Sequence, residues 1–204
     1  FHFFFFYVHS AKVEGEEDFI YRSYTPTSTN DDLGYFDLVI KVYPKGKMTQ
    51  YIDKLNIGDH IEVSGPKGLF DYKKNQYRSL GLLAGGTGIA PMLQVVKEIL
   101  KYKDDKTQVS LLYGNLTVQD IILREEIDAL AAKHPNFKVY HVLNEAPADW
   151  TMGKGFITKD MIQTHFPAPA DDIKILMCGP PPMIKAMTDH LTALQYEKKH
   201  IFSF

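Results

Sequence analysis

Cysteine is almost absent from these 204 residues: Cys178 stands alone. One cysteine excludes an intrachain disulfide framework, a cysteine zinc site and a cysteine-held iron–sulfur cluster, and it suits a reducing compartment. A surplus of charge is lacking too. The 23 Lys and Arg stand against 25 Asp and Glu, a balance of −2, with no long basic run, so nucleic acid is not an expected partner. No apolar run approaches the roughly 20 residues of a membrane helix. The longest, Phe1–Val8, is interrupted by His2 and lacks the basic start and small-residue cleavage site of a secretory leader. The eight histidines show no H-E-x-x-H or comparable ligand spacing, so no metal site is expected. G-x-S-x-G, a P-loop and paired carboxylates are also missing, which removes hydrolysis and phosphoryl transfer.

What is present is ordinary globular material, 45% apolar and 24% charged, enough for one large domain or two small ones. The first 78 residues read as β. Phe1–Tyr7 reads as a buried strand, with a peripheral membrane contact as the sharper alternative. Phe19–Thr25 and Tyr35–Tyr43 are rich in aromatic and branched residues and are split by Ser28–Asp32. Phe36, Leu38, Ile40 and Val42 alternate with Asp37 and Lys41, the pattern of a strand with one buried face. Met48, Tyr51, Ile52 and Leu55 give a short helix stopped by Gly58; His60–Ser64 is another strand and Gly65–Gly68 a turn. This predicts a small antiparallel β-barrel with one helix.

From Ser79 the rhythm becomes β/α. Strands fall at Leu80–Ala84, Gln108–Tyr113, Phe137–Leu143 and Ile173–Cys178, with helices near Ala90–Tyr102, Ile121–Lys133, Lys159–His165 and Met183–Leu194. That alternation predicts a doubly wound parallel sheet with ligands at the strand C-termini. The expected division is 1–78 and 79–204, with the boundary in the polar stretch Tyr72–Arg78 and a cleft between the two.

Five segments have chemical potential. Arg22-Ser23-Tyr24-Thr25-Pro26 offers a guanidinium fork, a flat ring and a hydroxyl at one strand end, although such residues also make an ordinary strand end. Gly46-Lys47-Met48-Thr49 opens a helix and reads either as a capped helix or as an anion site helped by Lys47 and the Thr49 hydroxyl. The turn Gly85-Gly86-Thr87-Gly88 follows a buried strand and opens a helix, as a dinucleotide fingerprint does, with Pro91 in place of the third glycine. Cys178-Gly179-Pro180-Pro181-Pro182-Met183 repeats the strand-to-helix step as a stiff wall short of N–H donors. Cys178 itself reads as an inert buried thiol before a nucleophile. Phe202 and Phe204 share one face of a terminal strand, as core or as a lid over a ligand.

Together, in this order, these segments resemble the NADH–cytochrome b5 reductase family within the ferredoxin–NADP reductase-like flavoenzymes. The carrying residues are Arg22–Pro26, Phe36–Tyr43, Gly46–Thr49, Gly85–Met92, Cys178–Met183 and Phe204. The resemblance implies two domains, an abridged antiparallel β-barrel that binds FAD over 1–78 and an α/β doubly wound parallel sheet that binds NADH over 79–204. On the FAD side it implies Arg22 and the Lys47–Thr49 turn at the pyrophosphate, Tyr24 against the isoalloxazine, and the Thr25 hydroxyl near its N5. Ser23, Val39, Lys41, Tyr43, Gly46, Met48, Thr87 and Phe204 complete that side. On the NADH side it implies Lys41, Gly86, Gly88, Tyr113, Asn115, Asn144, Gly179, Pro180, Pro181 and Met183, with Thr25 and Cys178 as catalytic residues.

The implied chemistry is hydride in from NADH and single electrons out to cytochrome b5 or a similar haem protein. Lys41, Lys45 and Lys47 suit an acidic partner and equally a solvated strand end. The resemblance further implies a monomer in the cytoplasm, at the cytosolic face of the endoplasmic reticulum or the mitochondrial outer membrane, with any membrane tether outside this chain. Two departures concern the first domain: Phe1–Tyr7 stands where the family has a Gly-Gln-His segment, and Pro44-Lys45 replaces a longer loop. A third is Asn144, where relatives carry an aspartate that repels a 2′-phosphate; Glu145 beside it keeps NADH favoured over NADPH. The alternatives are the flavin domain of a nitrate reductase and a non-catalytic nucleotide-binding protein of the same fold; an oxygenase reductase is disfavoured by the missing iron–sulfur cysteines.

Overall fold

A computed structural model describes residues 2–9 and 20–204, with the side chains of 2–5, 9 and 69 left aside. Phe1 and Phe19, both included in the expected strands, lie outside the described residues, as do the side chains of Phe3, Phe4 and Phe5. The chain divides into two compact units, Phe1–Asp71 and Tyr72–Phe204.

In the first unit, β1 (His2–His9) lies between β2 (Tyr21–Tyr24) and β3 (Glu62–Asp71), antiparallel to both. Val8 is fully buried, and the Phe6 ring stacks on Phe36 at 4.8 Å. The aromatic run is therefore the central strand of a sheet. Two local expectations are corrected. Gly65–Gly68 is not a turn between strands: β3 runs through it, and register shifts between Phe3 and Phe5 and between Phe5 and Tyr7 absorb the irregularity. A bulge takes up one awkward residue where pairing on either side outweighs local preference. Tyr35–Tyr43 is not a strand among the described residues. Alternation supplies an apolar face, but a strand also needs a neighbour for its backbone groups. Here Asp37 instead accepts from Thr27 N at 2.9 Å and its own N–H donates to Ser28 Oγ at 3.0 Å. Phe36 and Val42, expected inside, are exposed. The short helix α1 spans Lys47–Asp53.

The second unit is a six-stranded, wholly parallel sheet. Its strands are β4 (Ser79–Gly85), β5 (Gln108–Asn115), β6 (Phe137–Leu143), β7 (Gly153–Lys154), β8 (Ile173–Cys178) and β9 (Ile201–Ser203). Their order is β7-β6-β5-β4-β8-β9. The helices are α2 (Ile89–Lys101), α3 (Arg124–Lys133), α4 (Lys159–His165) and α5 (Pro181–Ala193). Every residue of β4 is buried, as expected of a central parallel strand covered on both faces.

Register sorts the side chains by face. Leu83, Leu112 and Met177 join the core formed with Ile162, Met187 and Leu191 of α4 and α5. Their neighbours Ala84, Tyr113, His141 and Cys178 form one row across four strands on the opposite face. His141 there bonds Asp128 of α3 at 2.8 Å.

The segment 72–78 is pinned to the second unit. The Tyr72 hydroxyl donates to Asp105 at 2.7 Å and lies 2.8 Å from the Thr107 hydroxyl, which donates to the Tyr77 carbonyl at 2.8 Å. Arg78 makes a two-pronged pair with Asp172 at 2.8 and 3.1 Å. Among the described residues no helix is long and apolar enough to cross a membrane.

Candidate functional site

The strand order reverses between β4 and β8, because the chain winds outward from β4 to one side and later returns to the other. Parallel sheets open a crevice at such a point, beyond the strand C-termini. Two loops meet there, Gly85–Gly88 after β4 and Cys178–Pro181 after β8, and they touch through their backbones. A Cβ on Gly88 would stand 2.1 Å from the Cys178 carbonyl oxygen, and one on Gly85 would stand 2.4 Å from Met183 Sδ and 3.0 Å from Pro180 Cδ. Gly179 is equally confined, with Met183 Sδ at 2.8 Å. Gly86 is different: its φ is +52° with open space around it, so it is glycine for its conformation. Thr87 is exposed on the rim, and Pro181 begins α5, where its missing N–H costs nothing. The final strand brings Phe204 beside β8, its N–H donating to the Met177 carbonyl at 3.0 Å, with the ring 40% exposed. It is not a core residue.

Asn115, the last residue of β5, is buried, yet neither its amide nitrogen nor its amide oxygen has a hydrogen-bond partner. A buried amide with both ends unmet is costly and marks a place where a ligand supplies the missing groups. Asn144 and Glu145 continue β6 alongside, their N–H groups donating to the carbonyls of Asn115 at 3.1 Å and Leu116 at 2.8 Å, with both side chains exposed. Phe156 was missed from sequence. It follows Gly155, whose N–H bonds the Leu143 carbonyl at 2.8 Å, and it is 77% exposed at the same end of the sheet. An unburied aromatic at a crevice suits a flat base; its only sequence signal is a lone aromatic between Gly155 and Ile157.

The Cys178 thiol is pushed up to about 11 by burial. It stays protonated at neutral pH, which removes the thiolate nucleophile and leaves a neutral group on the wall. Tyr113 is fully buried, its hydroxyl bonded to the Gly86 carbonyl at 3.0 Å. It is placed under the turn, not on the ligand surface.

In the first unit, Arg22 and Tyr24 share one face of β2, opposite Val8 and Phe6 of β1, and Ser23 points the other way. Arg22 is exposed, with Nη1 donating to the Tyr21 carbonyl at 2.8 Å. Tyr24 is half-buried, and burial holds its phenol above the usual range, partly opposed by Arg22. Thr25 is half-buried next to it. A cation beside a flat ring at a strand end fits an anionic group joined to a ring system. The Gly46 turn is self-contained. Thr49 is buried, donating to the Gly46 carbonyl at 3.0 Å and accepting from Tyr43 N at 3.1 Å. Its hydroxyl shapes the turn. Met48 is buried beneath, Lys47 is exposed, Val39 is half-buried, and Lys41 lies 6.0 Å from the Tyr43 ring.

Residues 5–72 match the family model described as oxidoreductase FAD-binding domain, and residues 82–189 match the oxidoreductase NAD-binding domain. An NADH-cytochrome b5 reductase 1 of Dictyostelium discoideum is 55% identical over 194 residues, covering 95% of this chain and 67% of that protein. One from Mortierella alpina is 52% identical over 193 residues, covering 95% and 64%. The chain belongs to the NADH–cytochrome b5 reductase family. It thus carries the family's FAD-binding and NAD-binding domains and is an oxidoreductase. It spans about two thirds of the length of these relatives. Among solved structures, the cytochrome b5 reductase domain of Ulva prolifera nitrate reductase matches 98% of this chain and 84% of its own, with TM-score 0.91 and 34% identity. For a reductase of this family, the unmet amide of Asn115 and the glycine junction fit a dinucleotide, and Arg22 with Tyr24 fits FAD.

Proposed function

We propose that this protein takes hydride from NADH with bound FAD and passes electrons singly to cytochrome b5 or a similar haem protein. The observation that carries the nucleotide half is the buried, unpartnered Asn115 amide at the crevice, beside a turn whose glycines allow close backbone approach. Bound FAD would supply the chemistry of accepting two electrons together and releasing them one at a time. The chain's own part is to bind and orient. Arg22 would hold the FAD diphosphate, with Lys47 adding positive charge; Tyr24 would lie along the ring system and the Thr25 hydroxyl would donate to it. Gly86 and Gly88 would receive the diphosphate of NADH together with Thr87, which this reading shifts from the FAD side to the NADH side, while Gly179, Pro180 and Pro181 form a stiff wall and Met183 fills the space behind it. Cys178, held neutral, would add no charge to the wall against which NADH is held.

Asn144 brings no carboxylate to repel a 2′-phosphate, while Glu145 beside it does, so NADH is the preferred donor. The finer reading, a monomer on the cytosolic face of the endoplasmic reticulum or mitochondrial outer membrane held by a tether outside these residues, rests on the family resemblance. An anaerobic absorbance spectrum tests the whole. A flavin spectrum that bleaches within seconds with NADH and far more slowly with NADPH is expected. A colourless protein that fails to take up added FAD would leave the fold and remove the activity.

A further inference from the structure

Among the described residues, Tyr113 is the largest fully buried side chain. It pairs across the sheet with Ala84 on β4 and with His141 on β6. The methyl of Ala84 leaves room on one side. On the other, His141 walls the ring at 5.9 Å between centroids and is itself held through Nε2 to Asp128. The phenol therefore has one direction to take, and its hydroxyl ends 3.0 Å from the Gly86 carbonyl oxygen. That oxygen also accepts from Ile89 N, closing the turn of Gly86–Gly88.

The peptide unit joining Gly86 to Thr87 is planar and trans, so its C=O and N–H point in opposite directions. Drawing the Gly86 carbonyl inward to Tyr113 turns the Thr87 N–H outward, where Thr87 is exposed. A positive φ at Gly86 makes this orientation accessible, and the hydroxyl bond adds to the Ile89 bond in favouring it over its flipped alternative.

We propose that Tyr113 is a positioning residue for NADH binding: by holding the Gly86 carbonyl it fixes the Thr87 N–H as a donor to the dinucleotide's diphosphate. The proposal rests on the reading of this turn as the nucleotide site given above. Phenylalanine at position 113 keeps the ring and removes one oxygen, and the Gly86 carbonyl keeps its bond from Ile89, so the fold persists.

The test titrates the FAD-loaded protein, wild type and Tyr113→Phe, with ADP-ribose by calorimetry, and measures adenosine by displacement of ADP-ribose. The variant is expected to bind ADP-ribose about tenfold more weakly, equivalent to about 1.4 kcal/mol, with adenosine within about twofold of wild type. In turnover the loss falls on KM for NADH, not on kcat. Unchanged ADP-ribose affinity overturns the proposal even if the melting temperature drops, because that pattern is merely structural. Equal weakening of both probes overturns it too, placing Tyr113 under the adenosine. A wild-type protein that takes up FAD but binds no ADP-ribose overturns the nucleotide reading itself.

Discussion

An alanine at position 88 tests the close approach of the two loops directly. Gly88 has φ −62° and ψ −4°, right-handed backbone that alanine adopts without strain. The added Cβ would nonetheless stand 2.1 Å from the Cys178 carbonyl oxygen, 2.5 Å from its carbonyl carbon and 3.0 Å from the Gly179 nitrogen. All three are backbone atoms at the end of a central strand, so relief means parting the loops by more than about 1 Å. Overpacking of this kind costs about 3 kcal/mol, and alanine returns about 1 kcal/mol by stiffening the unfolded chain. The net loss, about 2 kcal/mol, lowers the urea midpoint by about 1 M at a slope of about 2 kcal/mol per M. Trp150, the one tryptophan, lies in the second unit and reports its unfolding by fluorescence. Gly86→Ala is the contrasting variant. Its Cβ meets nothing within 4 Å and its cost, about 1 kcal/mol, comes from φ +52° alone. Asparagine tolerates that conformation, so Gly86→Asn recovers most of the loss, whereas Gly88→Asn is no better than Gly88→Ala. A Gly88→Ala protein with wild-type urea midpoint and wild-type ADP-ribose affinity would refute the close-approach argument.

Arg22→Ala should weaken FAD binding by about 10- to 100-fold, the range expected for lost charge-assisted hydrogen bonds, and leave the Trp150 unfolding midpoint unchanged; FAD retained at wild-type affinity in ultrafiltration removes Arg22 from the cofactor site. Asn144→Asp should raise KM for NADPH about fivefold relative to KM for NADH, since a carboxylate repels the 2′-phosphate by about 1 kcal/mol; an unchanged ratio separates this position from nucleotide choice. The Cys178 thiol is raised from 9.0 to about 11 by burial, so the unfolded chain loses its proton first and stability from this group, complete below pH 9, is lost as pH rises towards 11. Comparing urea midpoints at pH 8 and pH 10.5, Cys178→Ser should fall less than wild type, and an equal fall contradicts the burial. Tyr72→Phe leaves the buried Asp105 without its 2.7 Å donor and should cost about 1–3 kcal/mol in urea unfolding followed by Trp150; a change below about 0.5 kcal/mol would show that the network does not anchor the 72–78 segment.

How far the fold could be read depended on the range of the forces involved. The central strands of the second unit were legible because strands covered on both faces carry unbroken apolar runs, such as Leu80–Ala84 and Ile175–Cys178. The start of α4 is marked by Thr158, whose hydroxyl accepts from Met161 N at 3.2 Å. Pairing is not local, and there the sequence misled. Tyr35–Tyr43 has the alternation of a strand but forms none among the described residues, Gly65–Gly68 has the composition of a turn but is carried through by pairing with β1, and β7 is too short to show any period. The glycine run of the candidate site was equally visible, but not the division of labour within it. Composition cannot distinguish Gly86, needed for its φ, from Gly88, needed for its missing Cβ, because the Cys178 carbonyl that makes the difference is 90 residues away in the chain. Hydroxyls pose the same problem. Thr49 and Tyr113 both read as ligand contacts by type and place, with a plain capped helix as the other reading of Thr49, and both hydroxyls donate to a backbone carbonyl of a glycine turn. A hydroxyl in a binding segment is thus as apt to shape the loop as to touch the ligand: one that is fully buried and already bonded to a backbone carbonyl, as in Tyr113, would act on a bound dinucleotide by deciding which way a neighbouring peptide faces.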